Sequence, residues 1–140
     1  MDEQTGPQIL VVDDDAAIRN VICRVLEKNG YVVLTAADGA AAIREVTAHG
    51  ASLALVLLDM ALPGMTGEQI FEIVHQLQPD LHFLLFTARY DENTLLSLCQ
   101  TGFCEIVKKP CTMSELRGKV AATLSRYPRV TQLDPCGRSG

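Results

Sequence analysis

Tryptophan is absent from this chain, and no apolar run approaches the length of a membrane span. The strongest such run, Leu53 to Leu58, is closed by Asp59 and falls far short of the roughly 18 residues a spanning helix needs. No membrane association is expected. Behind Met1-Asp2-Glu3-Gln4 no apolar stretch follows, so no secretory signal is read and a cytoplasmic location is expected. Basic clusters are also scarce. The 12 Lys and Arg residues are scattered, Lys108-Lys109 is the only adjacent pair, and the formal net charge is -5. A direct nucleic-acid ligand is therefore disfavoured, since such proteins gather Lys and Arg on one face. The five cysteines are odd in number and show no CxxC spacing, which points to reduced thiols rather than disulfides or structural zinc. His49, His75 and His82 are spread over different segments, and no chemical role is assigned to them.

What is present is the composition of an ordinary folded domain, 48% apolar and 21% charged. A chain of 140 residues suits one hydrophobic core. Gln8 to Val12 is a short apolar run ending in three aspartates, the pattern of a buried parallel strand. Ile18, Val21, Ile22, Val25 and Leu26 recur at helical spacing, and Asn29-Gly30 supplies a stop. Tyr31 to Thr35 reads as a second strand and Ala40 to His49 as a second helix. A third strand over Leu53 to Leu58 is followed by Thr66-Gly67-Glu68-Gln69, a capping box opening a helix to about Gln76. His82 to Phe86, Asp91 to Gln100 and Glu105 to Val107 continue as strand, helix and strand. Thr112-Met113-Ser114-Glu115 is a second capping box, opening a helix to about Ser125. Residues 1–126 are thus expected to form one domain and 127–140, with Pro128, Pro135, Gly137 and Gly140, a disordered tail too short for a DNA-binding module.

Strand and helix in alternation, with continuously apolar strands, specify a parallel sheet covered by helices on both faces. In such doubly wound sheets ligands bind beyond the carboxyl ends of the strands. Those ends carry Asp13, Asp14 and Asp15, then Asp59, Thr87 and Lys109. Carboxylates converging at one edge repel each other unless a cation neutralises them, and a hard oxygen donor set with room for phosphate suits Mg2+. An EF-hand is excluded, because its alternating acidic register and closing Glu are missing. With a cation present a carboxylate can attack phosphorus, while an ammonium and a hydroxyl hold the phosphoryl oxygens. One of the aspartates, Asp15, is read simply as a helix cap.

Ile9-Leu10-Val11-Val12-Asp13-Asp14, Leu57-Leu58-Asp59-Met60, Phe86-Thr87-Ala88 and Lys108-Lys109-Pro110, with the loop Leu62-Pro63-Gly64-Met65-Thr66-Gly67, resemble the receiver domain of two-component response regulators over about residues 8–126. The resemblance implies a flavodoxin-like (βα)5 fold with strand order 2-1-3-4-5. It implies that Asp59 accepts a phosphoryl group from a phosphohistidine donor, that Asp14 and the Met60 backbone carbonyl join Asp59 in holding Mg2+, with Mn2+ as a substitute, and that Asp13 acts through water. Thr87, Ala88 and Lys109 are implied to bind the phosphoryl group, and the bond before Pro110 to be cis. Ala61 and Arg89 flank the expected phosphoryl position, where Arg89 can screen it or touch it. The implied partners are a histidine kinase or phosphotransfer protein, with a dimer or effector contact through the fourth helix, fifth strand and fifth helix. On this reading the chain is a signalling phosphoacceptor that catalyses only its own phosphoryl transfer and dephosphorylation.

At one position the chain departs from the family. Ile106 stands where an aromatic switch residue is usual, and an aliphatic side chain lacks the ring that couples to the threonine. Two rival functions are weaker. Dehalogenase-type phosphohydrolases carry an Asp-x-Asp motif on the first strand followed by Thr or Val, whereas Asp13-Asp14-Asp15-Ala16-Ala17 lacks that continuation. A receiver-like binding module without phosphorylation is opposed by the complete acid set.

Overall fold

The computed structural model describes residues 6–87, 92–100, 104–108 and 112–126. Strands and helices alternate along them. They are β1 (Gln8–Val12), α1 (Ala16–Lys28), β2 (Val32–Ala36), α2 (Gly39–His49), β3 (Leu53–Asp59), α3 (Gly67–Leu77), β4 (His82–Thr87), α4 (Glu92–Cys99), β5 (Cys104–Lys108) and α5 (Met113–Arg126), with a short 3-10 turn at Gly50–Ser52. The strands form one sheet in the order β2-β1-β3-β4-β5, every neighbouring pair parallel. This is the expected flavodoxin-like arrangement. The tail from residue 127 lies outside the described residues, as do Cys111 and Cys136.

Strand pleating divides the core in two. Leu10, Val12, Val56, Leu58, Phe83 and Leu85 face one side of the sheet, where Ala42 and Val46 of α2, Ile70, Phe71 and Val74 of α3 and Leu98 of α4 cover them. Ile9, Val11, Leu55, Leu57, Leu84 and Phe86 face the other, beneath Ile22 and Leu26 of α1 and Leu116 and Val120 of α5. Every residue of β3 is buried, because this central strand has a neighbour on each edge and helices on each face. His82, placed by sequence as either a surface or a packing residue, is buried at the start of β4.

Local signals set the helix starts. Asp15 caps α1, its side chain accepting from the Ala17 and Ile18 N–H groups. The capping box at α3 is complete: Thr66 Oγ1 accepts from the Gln69 N–H at 3.1 Å, and Gln69 Oε1 accepts from the Thr66 N–H at 3.0 Å. Its counterpart at α5 joins Thr112 and Glu115 by bonds of 3.0 and 2.9 Å. At the far end of α5, Arg126 Nη1 meets Glu105 Oε2 of β5 at 2.6 Å.

Candidate functional site

The carboxyl ends of β1 and β3 lie side by side. Val12 pairs with Leu58, so the next residues along the two strands, Asp13 and Asp59, emerge together at the edge of the sheet. One carboxylate oxygen from each of Asp13, Asp14 and Asp59 lies within 4.8 Å of the others. Their surroundings differ: Asp13 and Asp59 are 2% and 4% exposed, while Asp14 is open to solvent. An acid cluster with two buried members and one exposed member can take a cation directly from solution.

Backbone and side-chain bonds fix the two buried carboxylates. Asp13 Oδ1 accepts from the Asp15 N–H at 2.9 Å. The Asp13 N–H donates to the Ala36 carbonyl at 3.1 Å, and Arg19 of α1 donates through Nη1 to the Asp13 carbonyl at 2.7 Å. Asp59 Oδ1 accepts from the Ala61 N–H at 2.9 Å, which turns its carboxylate over the start of the following loop. Met60 is buried and its N–H donates to the Phe86 carbonyl at 3.1 Å, tying that loop to the end of β4. Gly64, with φ of 83°, makes the turn that a side-chain-bearing residue rarely adopts, and Thr66 then caps α3.

The other sequence-identified positions are divided. Thr87 ends β4, its backbone in register with Lys108 of β5. Ala88, Arg89, Lys109 and Pro110 lie outside the described residues. Ile106 is half-buried and packs against the core cluster that contains Leu85, Leu98 and Cys104, so the position of the missing aromatic is filled by an aliphatic packing residue. Sequence reasoning missed Arg19. Its signal was faint: an arginine four residues after the Asp15 cap lies one helical turn in, within reach of the preceding loop.

A hard oxygen donor set of this kind can hold a divalent cation, and one of its carboxylates can act as a phosphoacceptor. Comparisons with known proteins identify the family. A sequence model of the response regulator receiver domain matches residues 9–121. The chain is 32% identical over 121 residues to the phosphate regulon transcriptional regulatory protein PhoB of Klebsiella pneumoniae, covering 85% of this chain and 52% of that protein. It thus spans about half the length of that relative. It is also 36% identical over 119 residues to hybrid signal transduction histidine kinase D of Dictyostelium discoideum, covering 81% of this chain and 7% of that protein. Among solved structures, a response regulator receiver domain protein (CheY-like) from Methanospirillum hungatei JF-1 superposes with a TM-score of 0.79 at 27% identity, covering 88% of this chain and 97% of that one. Sheet order, acid cluster and sequence match converge, and the chain belongs to the response regulator receiver domain family of two-component signalling.

Proposed function

We propose that Asp59 is the phosphoacceptor and that it takes its phosphoryl group from a phosphohistidine donor. The observation that carries this reading is the convergence of the Asp13, Asp14 and Asp59 carboxylates at the carboxyl edge of the sheet. An Asp59 oxygen forms the new P–O bond as the P–N bond of the donor breaks, its electron pair returning to the imidazole. The Ala61 N–H bond to Oδ1 keeps the carboxylate oriented before attack.

Asp14, Asp59 and a backbone carbonyl would hold Mg2+, with Asp13 acting through water; Mn2+ has the same oxygen preference. When bound, the ion neutralises charge on the phosphoryl oxygens. The sequence expectation gives the carbonyl role to Met60. Because the Ala61 N–H points at Asp59 Oδ1, the trans peptide it shares with Met60 aims the Met60 carbonyl the opposite way. We therefore assign the carbonyl ligand to Ala61, the next residue into the loop. Thr87 at the end of β4, with Ala88 and Lys109 next in sequence after β4 and β5, are assigned the phosphoryl oxygens, with Arg89 and Ala61 beside them.

The wider reading is of a cytoplasmic receiver unit over residues 1–126 that releases its own phosphoryl group to water. It docks a histidine kinase or phosphotransfer protein, and passes the signal through α4, β5 and α5. Leu96, 55% exposed on α4, supports that surface, and Ile106 supports a readout that does not depend on a swinging aromatic ring. Among the described residues no helix is long and apolar enough to cross a membrane.

The deciding experiment is incubation with acetyl phosphate and Mg2+, followed by intact-protein mass measurement. One added phosphoryl group is expected on the wild type and none on Asp59→Asn; an unmodified wild type would overturn the reading.

A further inference from the structure

Asp59 is oriented by the peptide that joins Met60 to Ala61, and that peptide is itself held from behind. Met60 is 2% exposed, and its N–H is committed to the Phe86 carbonyl. Its side chain lies along the backbone of Gly67, the first residue of α3. A Cβ at Gly67 would stand 2.5 Å from Met60 Sδ, 2.7 Å from its Cε and 3.1 Å from its Cα. The sulfur and methyl belong to a flexible side chain, but burial leaves them little room to retreat. The Cα is backbone and gives only by moving the strand end.

From this we infer that Gly67 is a positioning residue for the phosphoacceptor site, acting through Met60 on the Met60–Ala61 peptide whose N–H holds Asp59 Oδ1. The absence of a side chain at Gly67 lets Met60 seat fully, and the seated Met60 sets the plane of that peptide. The α3 capping box strengthens the lock, because Thr66 and Gln69 hold Gly67 in the first turn of the helix. A methyl at residue 67 must push the Met60 sulfur away by roughly an ångström and its Cα by a few tenths, which turns the Ala61 N–H off Asp59. Mg2+ tolerates such displacement poorly, since it demands near-ideal octahedral geometry. The inference rests on the proposed Mg2+ and phosphoacceptor reading of the acid cluster.

The test is calorimetric titration of Mg2+ into wild type, Gly67→Ala, Met60→Ala and the double variant, each with a thermal melt to confirm folding at the titration temperature. Gly67→Ala is expected to bind Mg2+ about tenfold more weakly, the size typical of losing a supporting contact around a metal site. Met60→Ala, which removes the seated side chain but keeps the backbone bond to the Phe86 carbonyl, weakens binding by less. The double variant, in which the new methyl occupies space vacated by the Met60 side chain, recovers to within about threefold of wild type. Loss of thermal stability in Gly67→Ala with unchanged Mg2+ affinity overturns the inference, as does a double variant no better than Gly67→Ala. If Gly67→Ala does not fold, unchanged affinity in Met60→Ala overturns it equally. A wild type that binds no Mg2+ brings down the site reading itself, a result separable from a wild type that binds while the variants match it.

Discussion

Arg19 reaches back from the first turn of α1 and donates through Nη1 to the backbone carbonyl of Asp13 at 2.7 Å. The carbonyl belongs to the residue that begins the acid cluster, so a helix side chain braces the turn on which Asp13 and Asp14 stand. A charge-assisted bond to a partly buried carbonyl contributes about 1 kcal/mol once solvent screening is allowed for. Arg19→Ala is expected to lose that amount in urea unfolding, and Arg19→Gln to recover part of it. A neutral Arg19→Ala shows that the bond contributes nothing in solution.

Metal linkage gives a second prediction, on stability. Three carboxylates within 4.8 Å repel one another when no cation is bound. In chelator, Asp59→Asn should therefore melt above wild type. Saturating Mg2+ reverses the order: at a hundredfold excess over its dissociation constant it stabilises the binding form by about 2.7 kcal/mol. Scanning calorimetry of both proteins with and without Mg2+ reads the crossover, and parallel shifts in the two count against a shared site.

The two capping boxes predict equal and independent losses. Thr66→Ala and Thr112→Ala each remove a hydroxyl that accepts a helix N–H, at a cost of about 1 kcal/mol. Because the caps sit on separate helices, α3 and α5, and share no bonded partner, the double variant should lose the sum. Urea midpoints of the single and double variants test this; a double loss well below the sum means the helix starts are coupled.

Burial pushes the Cys23 thiol above its ordinary range, Glu27 pushes it further, and Arg19 offsets part of the rise. The native state therefore holds this proton more tightly than the unfolded chain. Its contribution to stability is present below the unfolded thiol value and is lost as pH rises through the higher native one. Near pH 8 the folded protein carries less thiolate at Cys23, so iodoacetamide should label it more slowly than in urea. Peptide mapping of timed samples measures the difference, and equal rates refute the shift.

Much of this was legible in the sequence because the informative signals are local. Asp15, Thr66 and Thr112 announce helix starts within four residues of themselves, and all three caps form. The continuous apolar runs specified a buried parallel sheet, and the aspartates after β1 and β3 marked its working edge. Strand ends were read less closely. β2 spans Val32–Ala36 where Tyr31 to Thr35 was expected, and β3 runs to Asp59, one residue past the apolar run, since ladder bonds rather than side-chain type decide where pairing starts and stops. The bracing of Asp13 by Arg19 and the seating of Met60 on Gly67 were not legible. Both depend on where the chain returns in space, and Gly67 alone looks like an ordinary residue inside a capping box.

Asp13 and Asp59 lie far apart along the chain and meet only through the β1–β3 pairing of a fully buried central strand. Pairing distant segments into a parallel sheet is intrinsically slow, because the loop between them must close first. An incompletely folded molecule therefore has no acid cluster to offer a cation or a phosphoryl donor. A cation held at this cluster would therefore report that β1 and β3 have paired.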